Sequence, residues 1–328
     1  MKNRLDRFLK LFILLALSFF LITACYSQVT HKANTPKTRL AASNCRRVVH
    51  QLGETCVPLH PQRIIATDPF ALDVLLGLGL KPIAAAEPNI AGSRGRHLTG
   101  KMEGVASLGK IAQINIERMV QLHPDLIVGS FINLQNYDLF EKIAPTVELD
   151  IKFAQGAWKD SLRDLGEILG RTQQAEDALA QYQQRVEQLR KAIEDKPENI
   201  EVSVSRFYKG GFLPQLDTIF SFSGGILQEV GFSAPPHQVE LATTPDTAYV
   251  LISLERLDLL DADVLFVMLD PGSQDNFSRY QKSPLWQKLS VVQSNRVYTV
   301  DSGYWYAGNI LAANAILDDL EKYLVNTP

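Results

Sequence analysis

The stretch AWKDSLRDLGEILGRTQQAEDALAQYQQRVEQLRKAIEDK, residues 157–196, decides the fold of this chain. Leu162, Leu165, Ile168 and Leu169, then Ala178, Leu179, Tyr182, Val186, Leu189 and Ile193, recur at the spacing that gathers apolar side chains on one helix face. Gly170-Arg171-Thr172 interrupts the pattern and Pro197 stops it, so one long bent helix or two abutting helices both fit. On each side of this segment, short continuous apolar runs alternate with helical spacing. Before it come Arg63–Thr67, a helix over Pro69–Leu80, Pro82–Ala86, a helix over Ile116–Leu122, Pro124–Val128, a helix over 138–144 and Pro145–Leu149. After it come Glu201–Ser205, a helix over Leu227–Val230, Asp263–Met268, Arg296–Val300 and a closing helix over Ala307–Leu324. Apolar strand runs alternating with helices indicate parallel sheets covered on both faces. The fold class is therefore α/β: two α/β lobes with mainly parallel sheets, 45–155 and 198–328, joined by a long backbone helix over 156–197. Ligands of such sheets sit beyond the carboxyl ends of the strands and between domains, which places the expected site in the cleft between the lobes.

The composition supports this division. With 46% hydrophobic and 21% charged residues among 328, the chain is neither disordered, collagenous nor a coiled coil, and it is long enough for about two domains. The formal charge is −3, but the first 24 residues are basic, and without them 29 basic face 35 acidic residues, a net of −6. An acidic body lacks the Lys and Arg surplus that displaces counterions from nucleic acid, so no nucleic-acid partner is expected.

Lys2, Arg4, Arg7 and Lys10 precede the apolar run Leu11–Ile22, which is too short to span a bilayer and reads as a signal peptide over residues 1–24. The run ends Ile22-Thr23-Ala24-Cys25, which resembles the lipobox of bacterial lipoproteins and implies that Cys25 is lipidated. An uncleaved anchor with an incidental cysteine is the alternative; both tether the protein to a membrane, on the periplasmic side of the inner (plasma) membrane. Residues 25–44 are polar and aperiodic, as in a flexible tether. Lipidation of Cys25 leaves Cys45 and Cys56 as an even pair in an exported chain, so a disulfide stapling a hairpin is expected. Two free thiols or a metal pair are the alternatives, and the spacing matches neither a CxxC redox site nor a zinc site.

Catalytic constellations are missing. The chain has no Gly-x-Ser-x-Gly elbow, no phosphate-binding loop, no dinucleotide fingerprint and no His-Glu-x-x-His, and no two of its six histidines lie within five residues of each other. Ser107-x-x-Lys110 occurs without its companion motifs and is read as chance. No metal site formed by protein side chains is expected, and an exported α/β hydrolase is the disfavoured reading from another class.

Arg63-Ile64-Ile65-Ala66, Leu78–Ala84, Asn115-Ile116-Glu117-Arg118, His123–Val128, Ile143–Val147 and Asp261–Phe266, in that order and spacing, resemble the successive signatures of periplasmic iron-siderophore binding proteins of ABC transporters. The resemblance runs from about Cys45 to Leu324. It implies the class III architecture with a long helical backbone, no enzymatic activity, no cofactor and a monomer. Iron would enter wrapped in a siderophore, and the partners would be an ABC permease dimer with its ATPase. Receptors for haem, cobalamin or other metal chelates belong to the same group and are the alternative; the preferred siderophore is not legible.

Carried over position by position, the resemblance implies ligand contacts in the loops after the strands. These are Arg94, with Arg96 beside it; Lys110, or Ile111 if the alignment shifts by one; Phe131, with Asn133 nearby; and, in the second lobe, Arg206, Tyr208, Tyr249 and Trp305. For the basic residues the alternative is a solvated charge, and for the aromatics core packing. Glu117 and Glu255 each open a helix, one per lobe, and by resemblance dock onto permease arginines, the alternative being favourable placement at a helix N-terminus.

Overall fold

The computed structural model describes residues 44–89, 95–151, 156–194, 200–210 and 212–325. The expected signal peptide, the expected tether except for Asn44, Cys25 and Arg94 lie outside these residues. The described chain opens with an antiparallel hairpin, β1 (Cys45–His50) and β2 (Gly53–Pro58), joined by the Cys45–Cys56 disulfide with a Cα–Cα distance of 5.4 Å. Arg46 donates to the Ile168 carbonyl and Thr55 to Glu141, which fixes the hairpin against the body.

Strands β3 (Ile64–Ala66), β4 (Ala84–Glu87), β5 (Ala106–Lys110), β6 (Gln113–Ile114), β7 (Leu126–Gly129) and β8 (Thr146–Glu148) form a six-stranded sheet in the order β6-β5-β4-β3-β7-β8. All neighbours are parallel except β5 and β6. The direction of winding reverses between β3 and β7, the position at which open α/β sheets hold their ligands beyond the carboxyl ends. A Cβ on Gly129 would lie 1.8 Å from Thr67 Oγ1, so only glycine lets these two ends approach. Strands β9 (Val202–Phe207), β10 (Gln215–Asp217), β11 (Tyr249–Leu251), β12 (Val264–Leu269) and β13 (Val297–Asp301) form the second sheet in the order β11-β10-β9-β12-β13. Here β9, β12 and β13 are parallel while β10 and β11 are antiparallel additions.

The backbone segment consists of two helices, Trp158–Ile168 and Thr172–Glu194, parted at Gly170, whose φ is +66°. This decides between the two sequence readings: a left-handed residue ends the first helix and the second starts two residues later. Alternation along the strands sorts side chains to opposite faces. Ile64, Ala66, Leu126 and Val128 from the first sheet, and Val202, Val204, Phe266 and Met268 from the second, join one apolar core with the helices Pro69–Gly77, Trp158–Ile168, Thr172–Glu194, Phe222–Val230 and Ile310–Leu320. Ile65 and Ile127 face a second cluster, and Phe207, Leu265 and Val267 a third.

Both sheets thus share one core, and its seam is closely fitted. A Cβ on Gly77 would fall 2.2 Å from Ile310 Cγ2, so glycine lets the helices Pro69–Gly77 and Ile310–Leu320 touch. Asp73, 1% exposed, accepts the backbone N–H of Asn309 (3.2 Å), Leu311 (3.0 Å) and Ala312 (3.1 Å) at the start of the closing helix. Asn309 Nδ2 donates 2.8 Å to the Trp158 carbonyl, and His97 Nε2 lies 3.4 Å from Asp73. Lys159 (2.7 Å) and Tyr182 (2.9 Å) both meet the Glu229 carboxylate, tying the backbone helices to the second sheet's helix.

Several elements differ from their expected limits. The helix expected over 138–144 is Leu134–Phe140, because Asn133 caps it by accepting the Asn136 N–H at 2.8 Å. The helix expected to start at Leu227 starts at Phe222, capped by Ser221, and the closing helix is Ile310–Leu320 followed by one wider turn, Glu321–Val325. Ser107 to Lys110, dismissed as a chance motif, is strand β5.

Candidate ligand-binding site

At the carboxyl end of β9, Arg206 stands opposite Met268 of β12, and period-two alternation sends Arg206, Tyr208 and Asp270 to the same side. Asp270 takes both edge donors of the guanidinium, Nε at 2.9 Å and Nη2 at 3.0 Å. The pair is withdrawn from water, at 11% exposure for Arg206 and 1% for Asp270. Burial works against the arginine's charge, and the hydrogen bonds and opposite charge of Asp270 outweigh it. The Arg206 Cζ lies 3.7 Å from the ring centre of Tyr306 and 4.8 Å from that of Tyr208. Burial also pushes the Tyr208 hydroxyl up, which keeps it a neutral donor. Beside this group, Asn276 Nδ2 donates to the carbonyls of Tyr208 (3.0 Å) and Phe212 (3.1 Å) and holds the loop that presents Phe212.

Of the expected contacts, Arg206 and Tyr208 are brought together and Trp305 is not among them. Trp305 has no exposed surface; its indole donates 2.8 Å to Asp319 and its ring packs on Phe266 at 4.6 Å. The residue presented at this place is the next one, Tyr306, which is 41% exposed. Tyr249 stands on the edge strand β11, two strands from Arg206, and is exposed. On the first sheet, Phe131 follows β7 with a φ of +57° and is 64% exposed, and Lys110 ends β5, where its Nζ donates 2.8 Å to the Asn89 carbonyl. Asn133 is occupied as a helix cap.

Arg96 ties the two halves together. Its backbone N–H donates 2.9 Å and its Nε 3.2 Å to Asp301 at the end of β13, and its Nη2 donates 3.1 Å to the Tyr304 hydroxyl. Sequence reasoning missed Tyr306, Asp270 and Asp73. The first two sit within two residues of strand or helix ends, where a phase known to one residue would have found them.

Asp217, in β10, is buried and accepts from Ser223 Oγ at 2.9 Å. Burial pushes its carboxyl up to about 7, a shift only partly offset by Ser223 and Arg206. Because the folded value lies above the unfolded one near 3.9, this contribution to stability is whole at low pH and is lost as pH rises through about 7. Asp217→Asn should therefore melt higher than the native protein at pH 8, by less at pH 5 and no higher below about pH 4, as followed by thermal unfolding; a uniform loss at every pH would contradict the assignment.

Glu117 is exposed in the first turn of the helix Ile116–Gln121, whose cap is already supplied by Asn115, which accepts the Arg118 N–H at 2.9 Å. Glu255 is exposed in the short helical segment Leu254–Leu260, where the Ser253 hydroxyl and its own N–H lower its pKa. It borders a surface hollow with Asp258, Asp261, Leu285, Lys288 and Leu289. Among the described residues, no group of three or more His, Cys, Asp or Glu could hold a metal ion, and no helix is long and apolar enough to cross a membrane.

Two sheets on one continuous core, the first mainly parallel and the second evenly mixed in its pairings, with an arginine–tyrosine cluster at the strand ends, define an α/β binding protein with a helical backbone. The chain belongs to the periplasmic binding protein family, whose sequence profile matches residues 64–304. These are binding proteins, not enzymes. It is 31% identical over 324 residues to a probable siderophore-binding lipoprotein of Bacillus subtilis, covering 95% of this chain and 96% of the relative. It is also 30% identical over 273 residues to the achromobactin-binding periplasmic protein of Dickeya dadantii, covering 80% and 86%. Among solved structures, Staphylococcus aureus SirA complexed with staphyloferrin B superposes with a TM-score of 0.72 at 27% identity, covering 85% of this chain and 98% of that one. A FhuD fold-family protein of Bacillus subtilis (TM-score 0.73, 22% identity, 85% of this chain and 100% of that one) matches in fold alone.

Proposed function

We propose that this chain is the substrate-binding lipoprotein of an ABC importer, capturing a ferric siderophore between its two lobes and delivering it to the permease. The observation that carries the reading is the buried arginine with its tyrosines beyond the strand ends, in a chain that matches siderophore-binding relatives over nearly its whole length. Iron is cargo in this reading, coordinated by the chelator, and the protein supplies shape, hydrogen bonds and aromatic surface. The ligand-contact set comprises Arg94, Lys110, Phe131, Tyr208 and Tyr306 with Arg206 behind them, and Tyr249 at the margin. Glu117 and Glu255 dock on the permease. Cys25 carries the lipid, residues 25–44 are the tether, and the receptor works as a monomer on the outer face of the plasma membrane.

Transport of radioactive iron tests this directly. Cells lacking the chain should lose uptake of the ferric complex it binds and regain it on complementation, whereas undiminished uptake of every ferric siderophore supplied would reject the function.

A further inference from the structure

We propose that Arg206 is a positioning residue: clamped along its edge by Asp270, it holds Tyr208 and Tyr306 as the wall on which the chelate rests, and the tyrosines make the contact. The inference deepens the receptor function proposed above and rests on it. Besides its Nη1–Nη2 end, a guanidinium meets a carboxylate in a paired approach by its Nε–Nη2 edge. That edge is taken here, at 2.9 and 3.0 Å, by Asp270. The guanidinium carbon sits over the rings of Tyr306 and Tyr208, at 3.7 and 4.8 Å from their centres. What reaches solvent is mostly ring: Arg206 is 11% exposed against 41% for Tyr306.

The ion pair cancels its own charge before any ligand arrives. This wall therefore selects by shape, aromatic contact and hydroxyl hydrogen bonds, and it favours a chelate with a flat or apolar flank whatever the complex's net charge. The two models of Arg206 differ in sign. If the arginine were the anion-binding group, removing Asp270's charge would free it and tighten an anionic complex; if it positions the tyrosines, the same change loosens them and weakens anionic and neutral complexes alike.

The test uses the detergent-solubilised mature chain titrated with ferric citrate, ferric staphyloferrin B and the neutral hydroxamate complex ferrichrome. For every complex the native protein binds, Asp270→Asn and Arg206→Lys should each weaken affinity by about tenfold, since lysine keeps the charge but neither the fork nor the stack. Tyr306→Leu should lose about as much, and Tyr306→Phe should recover most of that loss because the ring remains. Tighter or unchanged binding of an anionic complex by Asp270→Asn, or full affinity in Arg206→Lys, overturns the proposal. Melting curves check that the variants fold; should the Asp270 or Arg206 variants fail to, the Tyr306 pair decides, and native affinity in Tyr306→Leu overturns it. Native protein that binds none of the complexes fails at the receptor function itself, and the inference falls with it.

Discussion

Replacing Asp73 by alanine should lower the stability of the folded chain by about 3–5 kcal/mol, the range for leaving buried polar groups without their charged partner. Asp73 lies in the helix Pro69–Gly77, is 1% exposed, and accepts three backbone N–H groups at the start of the closing helix more than 230 residues away. Alanine would strand those donors in the core and remove the only carboxylate against His97 that the described residues provide at this seam. For a chain of this size the loss corresponds to a melting temperature lower by about 10 °C. Asp73→Asn keeps one acceptor oxygen and should lose roughly half as much. Thermal and urea unfolding measure both; a loss below about 1 kcal/mol in Asp73→Ala would show that the seam is not held this way.

Changing Glu117 and Glu255 together to alanine should leave ligand affinity within about twofold and reduce iron uptake by more than about tenfold, because both carboxylates are exposed and paired charges across an interface set association more than folding. Neither residue is needed for its helix. Asn115 caps the first, and an exposed, solvent-screened carboxylate at a helix start adds little to folding. Ser253 hydrogen-bonds Glu255 and lowers its pKa, so that carboxylate is charged at neutral pH and available to an arginine. Binding titration beside transport in cells separates the two roles: normal uptake by the double variant rejects docking through these residues, and lost affinity would move them into the ligand site.

The sheets and helices were legible because their signals are local. Apolar runs such as Ile64–Ala66 and Leu126–Val128 need only their own residues to read as buried strands, and the face formed by Leu162 through Ile193 needs only its spacing. Strands β10 and β11 and the helices between β12 and β13 carried weaker patterns, Gln215–Asp217 being only three residues with a single apolar side chain. Caps shifted limits by several residues, since Asn133 and Ser221 start their helices ahead of the periodic apolar positions.

The site was less legible for a different reason. Gly303-Tyr304-Trp305-Tyr306 offers three aromatics in a row, and which one reaches solvent depends on the phase of a four-residue helix. Asp319, at the far end of the closing helix, draws Tyr304 and Trp305 inward by accepting from both, at 2.7 and 2.8 Å, and leaves Tyr306 for Arg206. Asp270 and Asp73 likewise read as ordinary polar positions until their partners, 64 and more than 230 residues distant, are in place.

Equilibrium titration of the mature chain with ferric siderophores, followed by intrinsic fluorescence, tests the central claim most directly. Tyr208 and Tyr306 form the proposed contact surface and the buried Trp305 directly precedes Tyr306 in the chain, so at least one complex should give saturable quenching with one site per chain while its iron-free chelator, or free ferric ion held by a non-siderophore buffer, gives much less. No saturable quenching by citrate-type, hydroxamate or catecholate complexes would contradict the account.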